Sequence, residues 1–257
     1  MPFSLSSRSP KILIVKSDIL YAGVLQAATQ RVFPTATFRR EVTLKNTLAA
    51  VAEEPVDLLI TGVSLPDGDT LDLLAEPLPG RGFGSALVVT GRREHRIFAV
   101  LRGLAIQGVF DPNDEGLDQF EKALEVIRSG GRYWSTSVLE RLHVHSEPSY
   151  AMERLLSPTE QLVLAVIGDG SDDHEAGDRL NLRPSTIHSV RRDLHRKLGV
   201  RHRGELVRLA AQQGYVRFTA GGVQRPGFAR LLAACGKNFT SQPARAALPI
   251  VPARKFA

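Results

Sequence analysis

The sequence predicts an α/β doubly wound, five-stranded parallel sheet followed by a smaller all-α domain of four helices. Two observations carry this expectation. Strand-like apolar runs alternate with helical periodicity through residue 130, and from 156 to 216 the pattern is helical only. A third observation, the division of charge between the two parts, bears on what the second domain meets.

Five runs read as strands: KILIV at 11–15, TATFRR at 35–40, DLLIT at 57–61, SALVVT at 85–90 and GVF at 108–110. Apolar residues recur between them at helical spacing, as in Leu20, Val24, Leu25 and Ala28, then Leu44, Leu48 and Val51, then Phe120, Leu124 and Ile127. Strands alternating with helices imply a parallel sheet covered on both faces. The first domain is therefore placed at 10–130. A glycine pair opens a polar helical linker at 131–152, and the all-α domain follows at 153–216. From 217 to 257 glycine, proline and small residues break every period except a short helix around Phe228 to Ala234, which predicts a mostly disordered basic tail.

The 257 residues are 43% hydrophobic and 23% charged, a globular composition, and no apolar run reaches the ~18 residues a membrane span needs. The N-terminal segment lacks a secretory apolar region, and Cys235 stands alone, so no intrachain disulfide forms and a reducing cytoplasm is expected. The net charge of +6 is unevenly held. Through residue 145 there are 16 Lys+Arg against 17 Asp+Glu, whereas the remainder has 17 against 10. A basic half of this kind suits a polyanion, with double-stranded DNA the leading candidate.

Within the all-α part, Ser157 with Glu160 and Asp172 with Glu175 have the spacing of capping boxes at two helix starts. Leu162, Val163, Ile167, Leu180, Leu182, Ile187, Leu194 and Leu198 are the expected core, and Gly199 suits a left-handed helix end. The opening Leu156, Ser157, Pro158, Glu160 and Val163, the RKLGV at Arg196 to Val200 and the closing GELVRLAAQQGYV resemble the LuxR-type helix-turn-helix. The resemblance implies that the third helix, about 184–198, enters the major groove. Helical geometry puts His188, Ser189 and Arg192 on one face as base-reading candidates, Arg192 first because its planar fork can engage a guanine edge. Ser185, Thr186, Arg191, Arg196 and Lys197 are the phosphate candidates. Residues 183–208 hold eight Lys+Arg against Asp193 and Glu205. Three features depart from the pattern: Arg183 stands at a cap position, Gly177 lies inside the second helix, and the acids of DDHE at 172–175 lie near the phosphate-facing surface. Neighbouring residues on a helix diverge, so DDHE is not read as a metal site, and no metal or cofactor is expected.

The N-terminal part resembles the receiver domain of NarL/FixJ-type response regulators, clearest in VDLLITGVSLPDGDTLDLL. The resemblance puts the phosphorylated aspartate four residues before Pro66, and Gly62 stands there. The acidic pair that binds magnesium is replaced by Lys16 and Ser17, with Asp18 close by. Thr90 matches the switch hydroxyl, and the expected lysine is replaced by Pro112 or, one residue earlier, Asp111. A pseudo-receiver that forms no acyl phosphate at the usual site follows. Asp57, Asp67, Asp69 and Asp72 are the candidates for a displaced acceptor.

The resulting expectation is a sequence-specific DNA-binding regulator. A homodimer is implied by the resemblance, with the helix at 203–214 pairing. Control is left to expression level, to a protein or small-molecule partner on the receiver-like domain, or to permanent dimerisation. The rival readings are an adaptor with a vestigial helix-turn-helix and a protein like region 4 of a sigma factor. No catalytic order, phosphate-binding glycine loop or metal spacing points to an enzyme.

Overall fold

Residues 9–76, 80, 82–144 and 152–236 are described in a computed structural model of the chain. Strands β1 (Lys11–Val15), β2 (Thr37–Glu41) and β3 (Val56–Thr61) precede a short hairpin of β4 (Ser64–Leu65) and β5 (Gly68–Asp69). Next come β6 (Phe83–Val89), β7 (Gly108–Phe110) and β8 (Tyr133–Trp134). The main sheet runs β2-β1-β3-β6-β7-β8 and every pairing is parallel. The five expected strands are joined by a sixth, β8, at the start of the stretch predicted as linker. Two residues are too few to show strand alternation in sequence.

The period of two sorts the strand residues onto two cores. Ile12, Ile14, Leu58, Ile60, Leu87 and Val89 meet α1 (Ile19–Val32) and α5 (Leu117–Arg128). Leu13, Val15, Leu59, Ala86, Val88 and Val109 meet α2 (Leu44–Glu53), α3 (Leu71–Ala75), α4 (His95–Arg102) and α6 (Thr136–Val144). The central strands are apolar on both faces because helices cover both. Two residues expected on inner helix faces, Leu20 and Leu48, are exposed. The buried stripes run instead through Ala22, Leu25, Ala28 and Val32 and through Thr47, Ala50 and Val51.

The second domain comprises α7 (Met152–Leu155), α8 (Pro158–Ile167), α9 (Asp173–Leu180), α10 (Pro184–Leu198) and α11 (Arg203–Gln212). Its core buries Leu162, Val163, Ile167, Leu180, Ile187 and Leu194, with Leu182 and Leu198 partly buried against it. Both capping boxes form, at Ser157 with Glu160 and at Asp172 with Glu175, and Gly199 ends α10 at φ 64°.

The expectation of a mostly disordered tail from 217 is corrected for residues 217–236; residues 237–257 lie outside the described residues. Strands β9 (Arg217–Thr219) and β10 (Gly222–Gln224) pair antiparallel, and α12 (Phe228–Ala234) follows. Leu231, Phe228 and Leu232 join the core of the second domain. The partners of this segment lie in distant parts of the chain, so local composition did not reveal its order.

Asp69 lies at the junction of this segment with the first domain, accepting from the backbone N–H of Leu71 (3.0 Å) and of Gly227 (3.2 Å). Burial, reinforced by nearby Asp72, raises its pKa to about 6. The folded state thus holds the proton more tightly than the unfolded chain, so this group's stabilising contribution is full at low pH and is lost as pH rises from about 4 through 6. Asp69→Asn keeps an acceptor oxygen without the charge. We expect it to stabilise the fold by about 1–2 kcal/mol at pH 8 and to lose that advantage near pH 4. Thermal melts across this range are the check; an advantage independent of pH would show that charge burial is not the cause.

Candidate nucleic-acid interface and the altered receiver site

Helices α9 and α10 are joined by a tight turn. Asn181 takes the left-handed conformation, and the N–H of Leu182 donates to the carbonyl of Gly177 at 2.9 Å. Pro184 occupies the first turn of α10, where its missing N–H costs nothing, and Arg183 makes no side-chain cap bond. Ile187 and Leu194 anchor α10 to the core. The opposite side carries Ser185, Thr186, His188, Ser189, Arg192 and Arg196, all exposed.

Gly177 is explained by this turn. A Cβ there would lie 2.6 Å from the carbonyl oxygen of Leu182, closer than packing permits. Alanine's better helix propensity, worth about 1 kcal/mol, is opposed by an overpacking cost of about 1–3 kcal/mol. Gly177→Ala is therefore expected to destabilise the domain by about 1 kcal/mol net, read as a lower urea midpoint. A raised midpoint would mean that the turn relaxes freely.

The basic side chains of α10 divide into two sets. Arg191 is bound within the domain, its Nε 2.8 Å from Asp173 and its Nη2 3.1 Å from the carbonyl of Ser171. Lys197 lies 2.8 Å from Glu160. Among the described residues Arg196 meets only half-exposed Asp193 (3.1 Å), and His188 Nδ1 is 3.2 Å from Asp173. Arg192 has no partner among the described residues. The DDHE acids are occupied as well: Asp172 and Glu175 close the cap of α9, and Asp173 faces Arg191.

At the receiver site Gly62 is the first residue beyond β3 and lies beside Lys16. The ammonium of Lys16 would lie 3.2 Å from a Cβ at Gly62, and it donates to the carbonyl of Val89 at 2.7 Å. Burial lowers its pKa to about 8. Asp18, the nearby acid, is used to cap α1 through the N–H of Tyr21 (2.9 Å). An ammonium, a hydroxyl and a glycine do not fit a magnesium ion, which is bound through carboxylates and waters. Thr90 is buried, and its hydroxyl accepts from the N–H of Arg92 at 3.2 Å. Strand β7 ends at Phe110, so Asp111 is the first residue beyond it and Pro112 the second.

Each displaced-acceptor candidate has a structural partner. Asp57 accepts from the N–H of Lys11 (2.8 Å), Asp67 from the N–H groups of Leu44 (2.6 Å) and Lys45 (2.9 Å), and Asp72 from those of Ala229 and Arg230 (3.2 Å each). With Asp69 bound as described, all four stabilise turns, helix starts or strand ends.

A parallel α/β sheet with helices on both faces, joined to a helix-turn-helix that presents an open basic helix, defines a two-domain chain with a receiver-like first domain. Residues 154–210 match the family of bacterial regulatory proteins described as the luxR family, and they form a LuxR-type helix-turn-helix domain. The chain is 28% identical over 153 residues to the transcriptional regulatory protein MctR of Rhizobium johnstonii, covering 58% of this chain and 66% of that protein. It thus spans just under two thirds of that relative's length. Among solved structures, RcsB of Salmonella enterica serovar Typhimurium bound to a promoter is 20% identical, with 80% of this chain and 99% of that chain covered and a TM-score of 0.55. A second RcsB–DNA complex has the same identity and coverage, with a TM-score of 0.52. At this identity the likeness is one of fold. No helix among the described residues is long and apolar enough to cross a membrane.

Sequence reading did not single out Arg96, Gln224 or Arg225, and it named Asp69 and Asp72 for a displaced acceptor and not for the junction they form. The signal available was the Pro226–Gly227 pair followed by apolar Phe228, Leu231 and Leu232.

Proposed function

We propose that the chain is a cytoplasmic, sequence-specific DNA-binding transcription regulator that acts as a homodimer without phosphorylation at residue 62. The observation that carries this reading is the exposed face of α10, where Ser185, Ser189, Arg192 and Arg196 stand one helical turn apart in succession. Arg192, with His188 and Ser189 beside it, reads base edges in the major groove; Ser185, Thr186 and Arg196 contact phosphates. Arg191 and Lys197, the other phosphate candidates, act first as internal ties and reach phosphate only if Asp173 and Glu160 release them. RcsB is described as dimers bound to DNA, which supports the same assembly for this chain. Helix α11, whose Arg203, Arg208 and Gln212 are exposed, supplies the pairing surface.

The test begins with selection of duplex DNA from a random pool, followed by anisotropy titrations over salt. Specific binding should weaken with a log–log slope near −0.9 per phosphate contact. Equal affinity for selected and scrambled DNA would remove specificity from the reading. Incubation with acetyl phosphate should leave mobility on a phosphate-retention gel, and DNA affinity, unchanged. A shifted band abolished by replacing one of Asp57, Asp67, Asp69 or Asp72 would overturn phosphate independence.

A further inference from the structure

Residues 217–236 touch both domains, and the contacts on each side are polar and directional. Toward the receiver-like domain, Gln224 Nε2 donates to the carbonyls of Leu65 (2.7 Å) and Pro66 (3.1 Å). The N–H of Gly227 donates to Asp69, and those of Ala229 and Arg230, in the first turn of α12, donate to Asp72. Arg96, at the start of α4 and 4% exposed, donates to the carbonyls of Gly214 (3.0 Å) and Pro226 (2.9 Å). Its guanidinium lies 4.6 Å from the ring centroid of buried Tyr215. Toward the helix-turn-helix, Arg225 donates to the carbonyl of Ala165 at 2.9 Å and pairs with Asp169, while α12 packs on α8.

These contacts originate in the β4–β5 hairpin, in α3 and at the start of α4, all of which lie beyond the ends of β3 and β6. We infer that residues 217–236 are an interdomain strap that fastens the receiver-like domain and the helix-turn-helix into one body with the α10 face open. A buried arginine held by two carbonyls, together with a carboxylate capping a helix of the other domain, adds charge-assisted directional bonds that a chain linker lacks. The strap therefore fixes the orientation of α10 in a chain that has Gly62 where the receiver resemblance places the acceptor aspartate. The inference concerns domain coupling and does not depend on the DNA-binding reading.

The experiment uses the full chain, with hydrogen exchange and small-angle scattering on the wild type, Arg96→Ala, and the double variant Asp72→Ala with Gln224→Ala. The double variant removes mainly surface contacts and serves where Arg96→Ala fails to fold. Arg31→Ala, which breaks an exposed pair with Glu121 inside the first domain, is the control. We expect the amides of Gly227, Ala229 and Arg230 to exchange about tenfold or more faster in the strap variants, the scattering to broaden toward separated domains, and the control to match the wild type. Unchanged exchange and scattering in a folded double variant would overturn the strap, as would domains already separated in the wild type. A loss of DNA binding with the strap intact would bear on the proposed function alone.

Discussion

Arg141→Ala is expected to destabilise the receiver-like domain by about 3–5 kcal/mol, the cost of leaving a buried charge without its partner. Asp111 has no solvent exposure, and its Oδ2 lies 2.8 Å from Arg141 Nη1. Among the described residues its other partners include the N–H of Asn113 (3.0 Å), the hydroxyl of Ser137 at 3.4 Å and the Asp114 carboxyl. None of these carries a positive charge. Arg141 also pairs with Asp114 at 3.1 Å and lies 5.8 Å from the ring centroid of Phe98, so truncation removes packing as well. The measurement is urea unfolding, with a lower midpoint and an unchanged slope. Adding Asp111→Asn should recover part of the loss, because the stranded charge is then gone. A loss below about 1 kcal/mol would mean that water reaches Asp111 once Arg141 is removed.

This pair changes what the end of the sheet does. The receiver resemblance places a lysine at the end of the fifth strand and acids at the end of the first. This chain has Asp111 after β7 and Lys16 after β1, so the signs are exchanged. Asp111 then anchors α6 through Arg141, and Glu115 adds bonds to the hydroxyls of Tyr133 (2.9 Å) and Ser135 (2.6 Å). These contacts hold the start of the interdomain connection against the end of the sheet.

How far the molecule could be read from its sequence depended on how local each stabilising interaction is. Strands β1, β3 and β6 were legible because burial on both faces makes them nearly continuous apolar runs. The helix starts at Ser157 and Asp172 were legible because a capping box spans only four residues. The absence of Asp at 62 needed one alignment anchor, Pro66. By contrast, sequence displays the charge of Arg191 and Lys197 but not the acids they meet, Asp173 and Glu160, which lie 18 and 37 residues away. The strap was harder still. Gln224 and Gly227 bond to groups about 158 residues distant, and a segment stabilised by another domain's carbonyls has the composition of a loop.

Among the α10 basic residues, the largest effect on binding is expected at Arg192. It is exposed and without a partner among the described residues, so contacting a base does not require breaking an internal salt bridge. Its position on the exposed side of α10, opposite buried Ile187 and Leu194, directs its guanidinium toward whatever the helix approaches. Arg192→Ala should weaken binding to the selected DNA by about 1–3 kcal/mol and relax preference at one base pair, with the fold unchanged. Arg191→Ala should behave differently. Its side chain, 15% exposed, joins α10 to Asp173 and Ser171, so its removal should lower the stability of the domain along with affinity. Titrations against the selected site and against all single-base variants, paired with urea melts, separate the two. If Arg192→Ala weakens every sequence equally and reduces the salt slope by about one contact, Arg192 belongs with the phosphate contacts. Base reading then falls to Ser189 and His188, whose short side chains discriminate only at close approach.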